Sequence, residues 1–247
     1  MKNKPLITII TVCYNSEKTI INTLESVLNQ EYENYEYIII DGNSQDKTIG
    51  ILSEYEKKFN GKMKFISERD NGIYDAMNKG ISKANGDIIG IINSDDWYEE
   101  GCLTKITEAY TDNNMQIIYG YQRLIKDEKE YNIIMKNHEF IRERMINHPT
   151  CFISKDIYTK YGKYELKYRI SADYEFMLRI NKYDDIEYKK VYDIISNFRL
   201  GGESSTQNGV IETAKIRYNY GCISKKRYDS IVLRAKIYNL YKILIRN

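Results

Sequence analysis

The chain has 247 residues, of which 42% are hydrophobic and 29% charged, a mixture that can bury a sizeable core and excludes a disordered chain. Only 2 Pro and 14 Gly are present, which excludes collagen-like and low-complexity architectures. The net charge of +2 is unevenly spread, because residues 213–247 carry nine Lys or Arg against one Asp and leave −6 on the preceding residues.

Short apolar runs alternate with helical stripes over the first hundred residues. The runs at 7–12, 35–40, 63–66 and 88–92 are rich in β-branched residues and predict four buried strands. Between them, apolar residues recur at helical spacing, as at Ile20, Leu24 and Val27. This alternation predicts an α/β fold with a parallel sheet covered by helices on both faces.

Beyond residue 97 the pattern is looser. It predicts a helix at 102–110, strands at 116–121, 151–153 and 191–198, a helix opening at 171–175, and a loop at 199–205. We divide the chain into a body, 1–212, with halves 1–97 and 98–212, and a basic tail, 213–247. An apolar stripe in the tail predicts an amphipathic helix; its members are Leu233, Ile237, Leu240 and Leu244.

Polar residues follow each of the four predicted strands. They are found at 11–15, at Asp41, at 68–71 and at Asp95 with Asp96. In a parallel sheet the carboxyl ends of the strands meet at one edge, and ligands bind beyond that edge. The sequence therefore predicts a ligand site built from four separate segments.

The turn after the first strand, 13–16, contains no glycine, and no phosphate-binding glycine motif occurs in the chain. Nucleotide phosphates would therefore need another neutralising group. Asp95 and Asp96 could hold Mg²⁺ or Mn²⁺ for this purpose, or could simply end a strand and cap a helix.

Other candidate residues also have two explanations each. Asp41 could accept hydrogen bonds from a ribose or base, or be an ordinary turn residue before Gly42. Asp173 could be a general base or a helix cap. His148 could bind a metal or phosphate or be structural, and the 201–205 loop could enclose a diphosphate or be a mobile hairpin.

Four motifs resemble those of family 2 glycosyltransferases with the GT-A fold, close to bacterial enzymes that build surface polysaccharides. They are residues 9–15 (IITVCYN), 40–48 (IDGNSQDKT), 67–80 (SERDNGIYDAMNKG) and 93–97 (NSDDW). With His148-Pro149 and 171–174, the resemblance covers about residues 5–205. It implies a Rossmann-like, mostly parallel central sheet flanked by helices, here followed by a C-terminal helical extension.

The resemblance also implies a reaction. Such enzymes move a sugar from a nucleotide-diphosphate donor, with a UDP-sugar favoured here, to a hydroxyl of a glycan or lipid-linked acceptor with inversion. Residues 1–97 would bind the nucleotide, residues 98–212 the acceptor, Asp95 and Asp96 a Mn²⁺ or Mg²⁺ ion, and Asp173 would be the catalytic base. The implied donor-binding residues are Thr11, Tyr14, Asn15, Asp41, Asp70, Asn78, Asp95, Gly202 and Ser204.

Two positions depart from the family pattern, since Asn93 and Met77 stand where many relatives have Asp and Arg. The alternatives are a metal-dependent nucleotidyltransferase and a non-catalytic nucleotide-sugar-binding protein. Nucleic-acid binding is disfavoured because the body is acidic. With no signal peptide or spanning segment in the sequence, we expect a cytoplasmic protein. Its tail would lie on the inner face of the membrane, or dock on its own body or a dimer partner.

Overall fold

The computed structural model describes residues 4–112, 115–202 and 206–246, with side chains described as far as residue 239. The strands are β1 (Ile7–Cys13), β2 (Tyr35–Asp41), β3 (Met63–Ser67), β4 (Ile88–Asn93), β5 (Trp97–Tyr98), β6 (Gln116–Lys126), β7 (Lys129–Ile134), β8 (Phe152–Ser154) and β9 (Glu187–Arg199). The α-helices are α1 (Ile20–Leu28), α2 (Thr48–Lys58), α3 (Ile73–Lys83), α4 (Cys102–Ala109), α5 (Lys155–Tyr161), α6 (Ala172–Ile180), α7 (Gln207–Asn219) and α8 (Lys225–Arg246).

All nine described strands form one sheet, in the order β3-β2-β1-β4-β8-β6-β9-β5, with β7 paired to β6. Strands β1 to β4 are parallel to one another. Strand β8 is antiparallel to both β4 and β6, so β6 and its parallel partner β9 run in the same direction as β4. Six of the described strands therefore share one direction, and the predicted mostly parallel α/β sheet is confirmed.

The core lies on both faces of this sheet because side chains alternate along each strand. On β1, Ile10 and Val12 pack with α3 and α6 on one face. Ile7 and Ile9 pack with α1, α2 and α4 on the other face. Every residue of β1 is buried, which explains why its sequence is an unbroken β-branched run instead of an apolar-polar alternation.

The first four predicted strands are confirmed to within one residue at each end. The strand predicted at 116–121 continues to Lys126, and the strand predicted at 191–198 begins earlier, at Glu187. Both are longer than predicted because they pair with each other on both sides of the register shifts next to Tyr121. Strand β7 was missed by the sequence analysis, since nearly all of its residues are exposed and carry no apolar period.

Helices α7 and α8 follow β9 and pack against each other, and the predicted boundary between body and tail, after residue 212, falls within α7. Ala235 of α8 is buried, whereas Leu233 and Ile237 are 60% and 56% exposed. Leu240 and Leu244, the other members of the predicted stripe, lie where side chains are not described. Within the described part of the chain, no helix has the length and apolar character that crossing a membrane requires.

Two glycines give a matched test of packing. A Cβ on Gly90, in β4, would lie 2.5 Å from the buried ring of Phe152 and 2.8 Å from the hydroxyl of Tyr98. We expect Gly90→Ala to lower the free energy of unfolding by about 1–3 kcal/mol, the usual cost of overpacking a core. A Cβ on Gly50, inside α2, would contact nothing within 4 Å. Gly50→Ala should raise the free energy of unfolding by up to about 1 kcal/mol.

Urea denaturation of the two variants and the wild type measures both effects. Equal stabilities of the Gly90→Ala variant and the wild type would show that the strand can move away from Phe152 at no cost.

Candidate active site

A cleft of about 1050 Å³ opens at the edge of the sheet where β1 and β4 end. Its walls come from the turn after β1, the start of α3, the residues after β4, His148-Pro149, the segment before α6, and the end of β9. Six of the predicted site residues line this cleft; they are Tyr14, Asn15, Asp70, Asp95, Asp173 and Gly202. Both halves of the body therefore contribute to it.

Thr11, Asp41, Asn78 and Asp96 were also predicted to be site residues, but they are not among the residues that line the cleft. Thr11 is buried and its hydroxyl is hydrogen-bonded to the hydroxyl of Tyr37 at 2.9 Å. The side-chain amide of Asn78 donates to the carbonyl of Tyr164 and accepts from its N–H. In this structure the side chains of Thr11 and Asn78 therefore stabilise the elements around the cleft. Ser204 lies outside the described residues.

Asp41 organises the turn after β1. Its fully buried carboxylate accepts hydrogen bonds from the N–H and hydroxyl of Ser44 and from the hydroxyl of Ser67. The hydroxyl of Ser44 in turn accepts the backbone N–H of Asn15 at 2.8 Å. Asn15 has a φ of 49°, which asparagine tolerates better than most residues. Tyr14 is left 61% exposed at the cleft.

Gly42 allows Asp70 to approach this turn. A Cβ on Gly42 would lie 2.7 Å from Oδ2 of Asp70 and 3.4 Å from the ring of Tyr14. The other oxygen of Asp70 accepts the N–H of Gly72, which has a φ of 112° just before α3. Asp70 and Tyr14 therefore meet at one side of the cleft because Gly42 leaves room for them and Gly72 adopts the positive φ that the turn before α3 requires.

Arg199, at the end of β9, ties that strand to the two aspartates after β4. Its backbone N–H donates to Oδ1 of Asp96 at 3.0 Å, and its guanidinium donates to the carbonyl of Asp95 at 2.6 Å. The same guanidinium lies 4.6 Å from the centre of the Trp97 ring, within cation–π distance. Glu128 accepts its remaining hydrogen bonds.

Asp95 and Asp96 lie in different environments. Asp95 is half-buried and lines the cleft, and burial raises its pKa although the charge of Arg199 opposes the shift. Asp96 is 1% exposed, and burial together with the charge of Asp95 raises its pKa well above the ordinary value. Among the described residues, Oδ2 of Asp96 has no hydrogen-bond partner.

This donor set fits a hard divalent cation that takes most of its ligands from elsewhere. The described residues contain no group of three or more His, Cys, Asp or Glu side chains arranged to hold a metal. Mg²⁺ is usually bound by one or two carboxylates together with substrate phosphates and water. Asp95 and Asp96 can supply those carboxylates, and a bound cation would favour their ionised forms.

Asp173 lies in the first turn of α6 and has one oxygen held in place. Its Oδ1 accepts hydrogen bonds from the hydroxyl of Tyr74 at 2.8 Å and from the N–H of Tyr174 at 2.9 Å. No hydrogen bond from another described residue reaches Oδ2. Burial, reinforced by the charge of Asp173, raises the pKa of Tyr74 well above its ordinary value, so the phenol remains a donor. The carboxylate is therefore oriented and can still accept a proton.

His148 lines the cleft, but it is largely buried and its Nε2 is hydrogen-bonded to the hydroxyl of Tyr164 at 2.9 Å. Burial lowers its pKa, although the charge of Asp173 partly opposes this effect. A neutral imidazole that already has a phenolic partner is best explained as part of the cleft's framework.

Several side chains of the cleft were not predicted from the sequence, among them those of Tyr74, Arg169 and Arg199. Tyr74 belongs to a motif that was recognised, but nothing in the motif shows that the phenol reaches Asp173. Met77, which stands where many relatives have Arg, also lines the cleft, so this position provides no positive charge there. Arg169, exposed at the same cleft, provides a guanidinium from a different segment. No local pattern distinguishes it from other surface arginines.

Comparison with known proteins adds independent evidence. The family model described as "Glycosyl transferase family 2" matches residues 8–196. An uncharacterized glycosyltransferase of Mycobacterium tuberculosis is 31% identical over 186 residues, 72% of this chain and 70% of the relative. A PGL/p-HBAD biosynthesis glycosyltransferase of Mycobacterium bovis is 23% identical over 205 residues, 82% of this chain and 80% of the relative.

Two solved structures share the fold. Staphylococcus aureus TarS 1–349 in complex with UDP-GlcNAc superposes with a TM-score of 0.71 at 17% identity, covering 94% of this chain and 70% of TarS 1–349. The mannosyltransferase PcManGT of Pyrobaculum calidifontis, in complex with GDP-Man and Mn²⁺, gives a TM-score of 0.68 at 14% identity, covering 95% and 70%. With its GT-A architecture and a family match that spans most of its body, the chain belongs to glycosyltransferase family 2 and is a glycosyltransferase.

Proposed function

We propose that this enzyme transfers a hexosyl or N-acetylhexosaminyl group from a nucleotide-diphosphate donor, with UDP-sugars favoured, to a hydroxyl of a glycan or lipid-linked acceptor. The observation that carries this proposal is that Asp173 lines the same cleft as Asn15 and Asp95. A proton acceptor from one half of the chain thus shares a cleft with the proposed donor-binding residues of the other. The complexes of TarS with UDP-GlcNAc and of PcManGT with GDP-Man support a nucleotide-sugar donor.

The donor would lie along the edge of the sheet. Tyr14, Asn15 and Asp70 line the part of the cleft that we assign to the base and ribose, while Asp41 fixes the turn beneath them. Asp95 and Asp96 would hold Mn²⁺ or Mg²⁺, which when bound supplies positive charge opposite the diphosphate. Gly202 also lines the cleft and has no side chain that would obstruct the approach of that group.

Asp173 would act as the general base of a single displacement. Its Oδ2 takes the proton of the acceptor hydroxyl while the hydroxyl oxygen forms a bond to the anomeric carbon. The bond from that carbon to the diphosphate oxygen breaks, and its electron pair leaves with the nucleoside diphosphate. Attack on the face opposite the leaving group gives inversion. The hydrogen bonds from Tyr74 and Tyr174 to Oδ1 keep the carboxylate oriented throughout.

We further propose that α8 contacts an anionic membrane surface on the cytoplasmic side. Leu233 and Ile237 are exposed next to Arg234 and Lys236, so in the described residues this side of α8 is not covered by the acidic body. Apolar side chains flanked by cations are typical of helices that lie in a membrane interface. Pairing with a second copy of the chain through the same side is the alternative that the test must exclude.

Substitution of the proposed base should separate turnover from donor binding. We expect Asp173→Asn to reduce kcat about 10²–10⁴-fold, the usual contribution of a general base, and to leave the donor dissociation constant nearly unchanged. The control is Asp184→Asn, which removes an exposed carboxylate and should leave both constants unchanged. Turnover measured by nucleoside diphosphate release, and product configuration by NMR, check this. Full activity of the Asp173→Asn variant, or retention of configuration, would contradict the mechanism.

Metal-assisted donor binding is tested by thermal unfolding with UDP-GlcNAc, other UDP-sugars and GDP-Man, each with and without Mn²⁺. One donor should raise Tm by several degrees only when Mn²⁺ is present, since a ligand at about 100 times its Kd adds about 2.7 kcal/mol to stability. Asp95→Asn should abolish this increase, whereas Asp112→Asn, an exposed control, should preserve it. The proposed metal site would be refuted if the donor raised Tm equally with and without Mn²⁺, and by the same amount in the Asp95→Asn variant as in the wild type.

The membrane proposal is tested by co-sedimentation with phosphatidylserine-containing and purely phosphatidylcholine vesicles. The double variant Leu233→Glu/Ile237→Glu should lose at least about tenfold in affinity for the anionic vesicles, since it replaces by charges two exposed apolar side chains that membrane binding would bury. The matched control is Tyr131→Glu/Ile133→Glu, an exposed apolar pair on β7, which should bind as the wild type does. Pairing between copies would be favoured if the wild type did not sediment with the vesicles but formed a dimer, and if the α8 double variant were a monomer.

A further inference from the structure

A carboxylate of helix α7 connects that helix to the segment before the proposed base. Glu212 accepts three backbone N–H groups, those of Arg169 at Oε2 (2.9 Å) and of Ile170 and Ser171 at Oε1 (2.7 Å each). The next residue of α7 adds a fourth contact, because the hydroxyl of Thr213 lies 3.0 Å from that of Ser171. These three consecutive N–H groups immediately precede α6.

In the described residues, these three donors are satisfied by Glu212 and not by a side chain of their own segment. Ser171 is the N-cap of α6, yet its side chain makes no capping hydrogen bond and is paired with Thr213 instead. Glu212 therefore supplies from a distant helix what a local cap would normally provide. Its negative charge also lies close to the N-terminus of α6, where the helix dipole favours an anion.

The same three residues carry much of the catalytic arrangement. The side chain of Arg169 lines the cleft, and the carbonyl of Ile170 accepts a hydrogen bond from the hydroxyl of Tyr74. That hydroxyl is also the donor to Asp173, two residues after Ser171, so its single proton is shared between the two acceptors. A shift of the segment would change how the proton is shared and would move Asp173 with the start of α6.

We propose that Glu212 is a positioning residue of the transfer reaction, which fixes the backbone of 169–171 so that Asp173, Tyr74 and Arg169 keep their productive geometry. This inference rests on the proposed role of Asp173 as the base. Glu212 itself does not line the cleft, and it acts only through the segment that it holds.

Other contacts hold α7 in place without Glu212. Ile216 and Ala214 of α7 are buried, Ile216 within the core cluster that includes α6. Arg142 donates to the carbonyls of Tyr220 and Gly221, just after α7. Loss of the Glu212 carboxylate should therefore release the 169–171 backbone while α7 remains docked, which separates a positioning role from a purely structural one.

The test compares Glu212→Ala, Glu212→Gln and, as a control that weakens α7 without touching the segment, Ile216→Ala. Hydrogen exchange followed by mass spectrometry needs no substrate. Peptides covering 169–171 should exchange at least about tenfold faster in Glu212→Ala than in the wild type, and at the wild-type rate in Ile216→Ala. Equally slow exchange in Glu212→Ala and the wild type would overturn the proposal.

Turnover is measured with UDP-GlcNAc and Mn²⁺ as the first probe. Glu212→Ala should lower kcat about 10–100-fold with less than about a twofold change in donor KM, since misplacement by about 1 Å can cost 10²-fold. Glu212→Gln keeps one oxygen for Ile170 and Ser171 and should recover most of kcat. An equal kcat loss in Ile216→Ala at a matched decrease in Tm would show a structural role only. Wild-type turnover by Asp173→Asn would instead reject the base assignment, and that variant is measured in the same series.

Discussion

The parallel pairing of β1 between β2 and β4 is the constraint on which the site depends. It aligns Cys13 with Asp41 and Val12 with Asn93, so the segments that follow the three strands emerge side by side. The pairing is possible because β1 is buried on both faces and its β-branched residues pack well on a pleated surface. The part of the cleft that is formed by the segments after β1 and β4 follows from this register.

The second half of the body completes the cleft with two segments that reach the same edge of the sheet. Strand β9 ends at Arg199, whose backbone and side chain are both bonded to the aspartates after β4. The segment before α6 returns beside α3, where Tyr74 connects it to the motif at 67–80. Arg199 and Tyr74 therefore join the proposed donor-binding and acceptor-binding halves at one cleft.

Two buried carboxylates next to the cleft, those of Asp41 and Asp96, have different hydrogen-bond partners. The carboxylate of Asp41 accepts hydrogen bonds from four neutral donors, which belong to Cys13, Ser44 and Ser67, and its role in the structure is to shape a turn. That of Asp96 has one bonded oxygen and one without a partner among the described residues, and its pKa is raised. A buried acceptor left without a donor destabilises the folded state unless a ligand compensates. This contrast supports the proposal that a cation binds at Asp95 and Asp96 and not at Asp41.

The sequence by itself determined the α/β class, the first four strands with their helices, the family, and three carboxylates that line the cleft, those of Asp70, Asp95 and Asp173. These follow from local periodicity and from motifs of adjacent residues. Only the tertiary structure decided that Thr11 and Asp41 lie beneath the cleft and that Arg199 and Tyr74 reach it. Tyr74 contacts a residue 99 positions away, and Arg199 one that is 104 positions away. Periodicity shows which face of an element is buried, but the partner on that face is chosen by packing across the whole sheet.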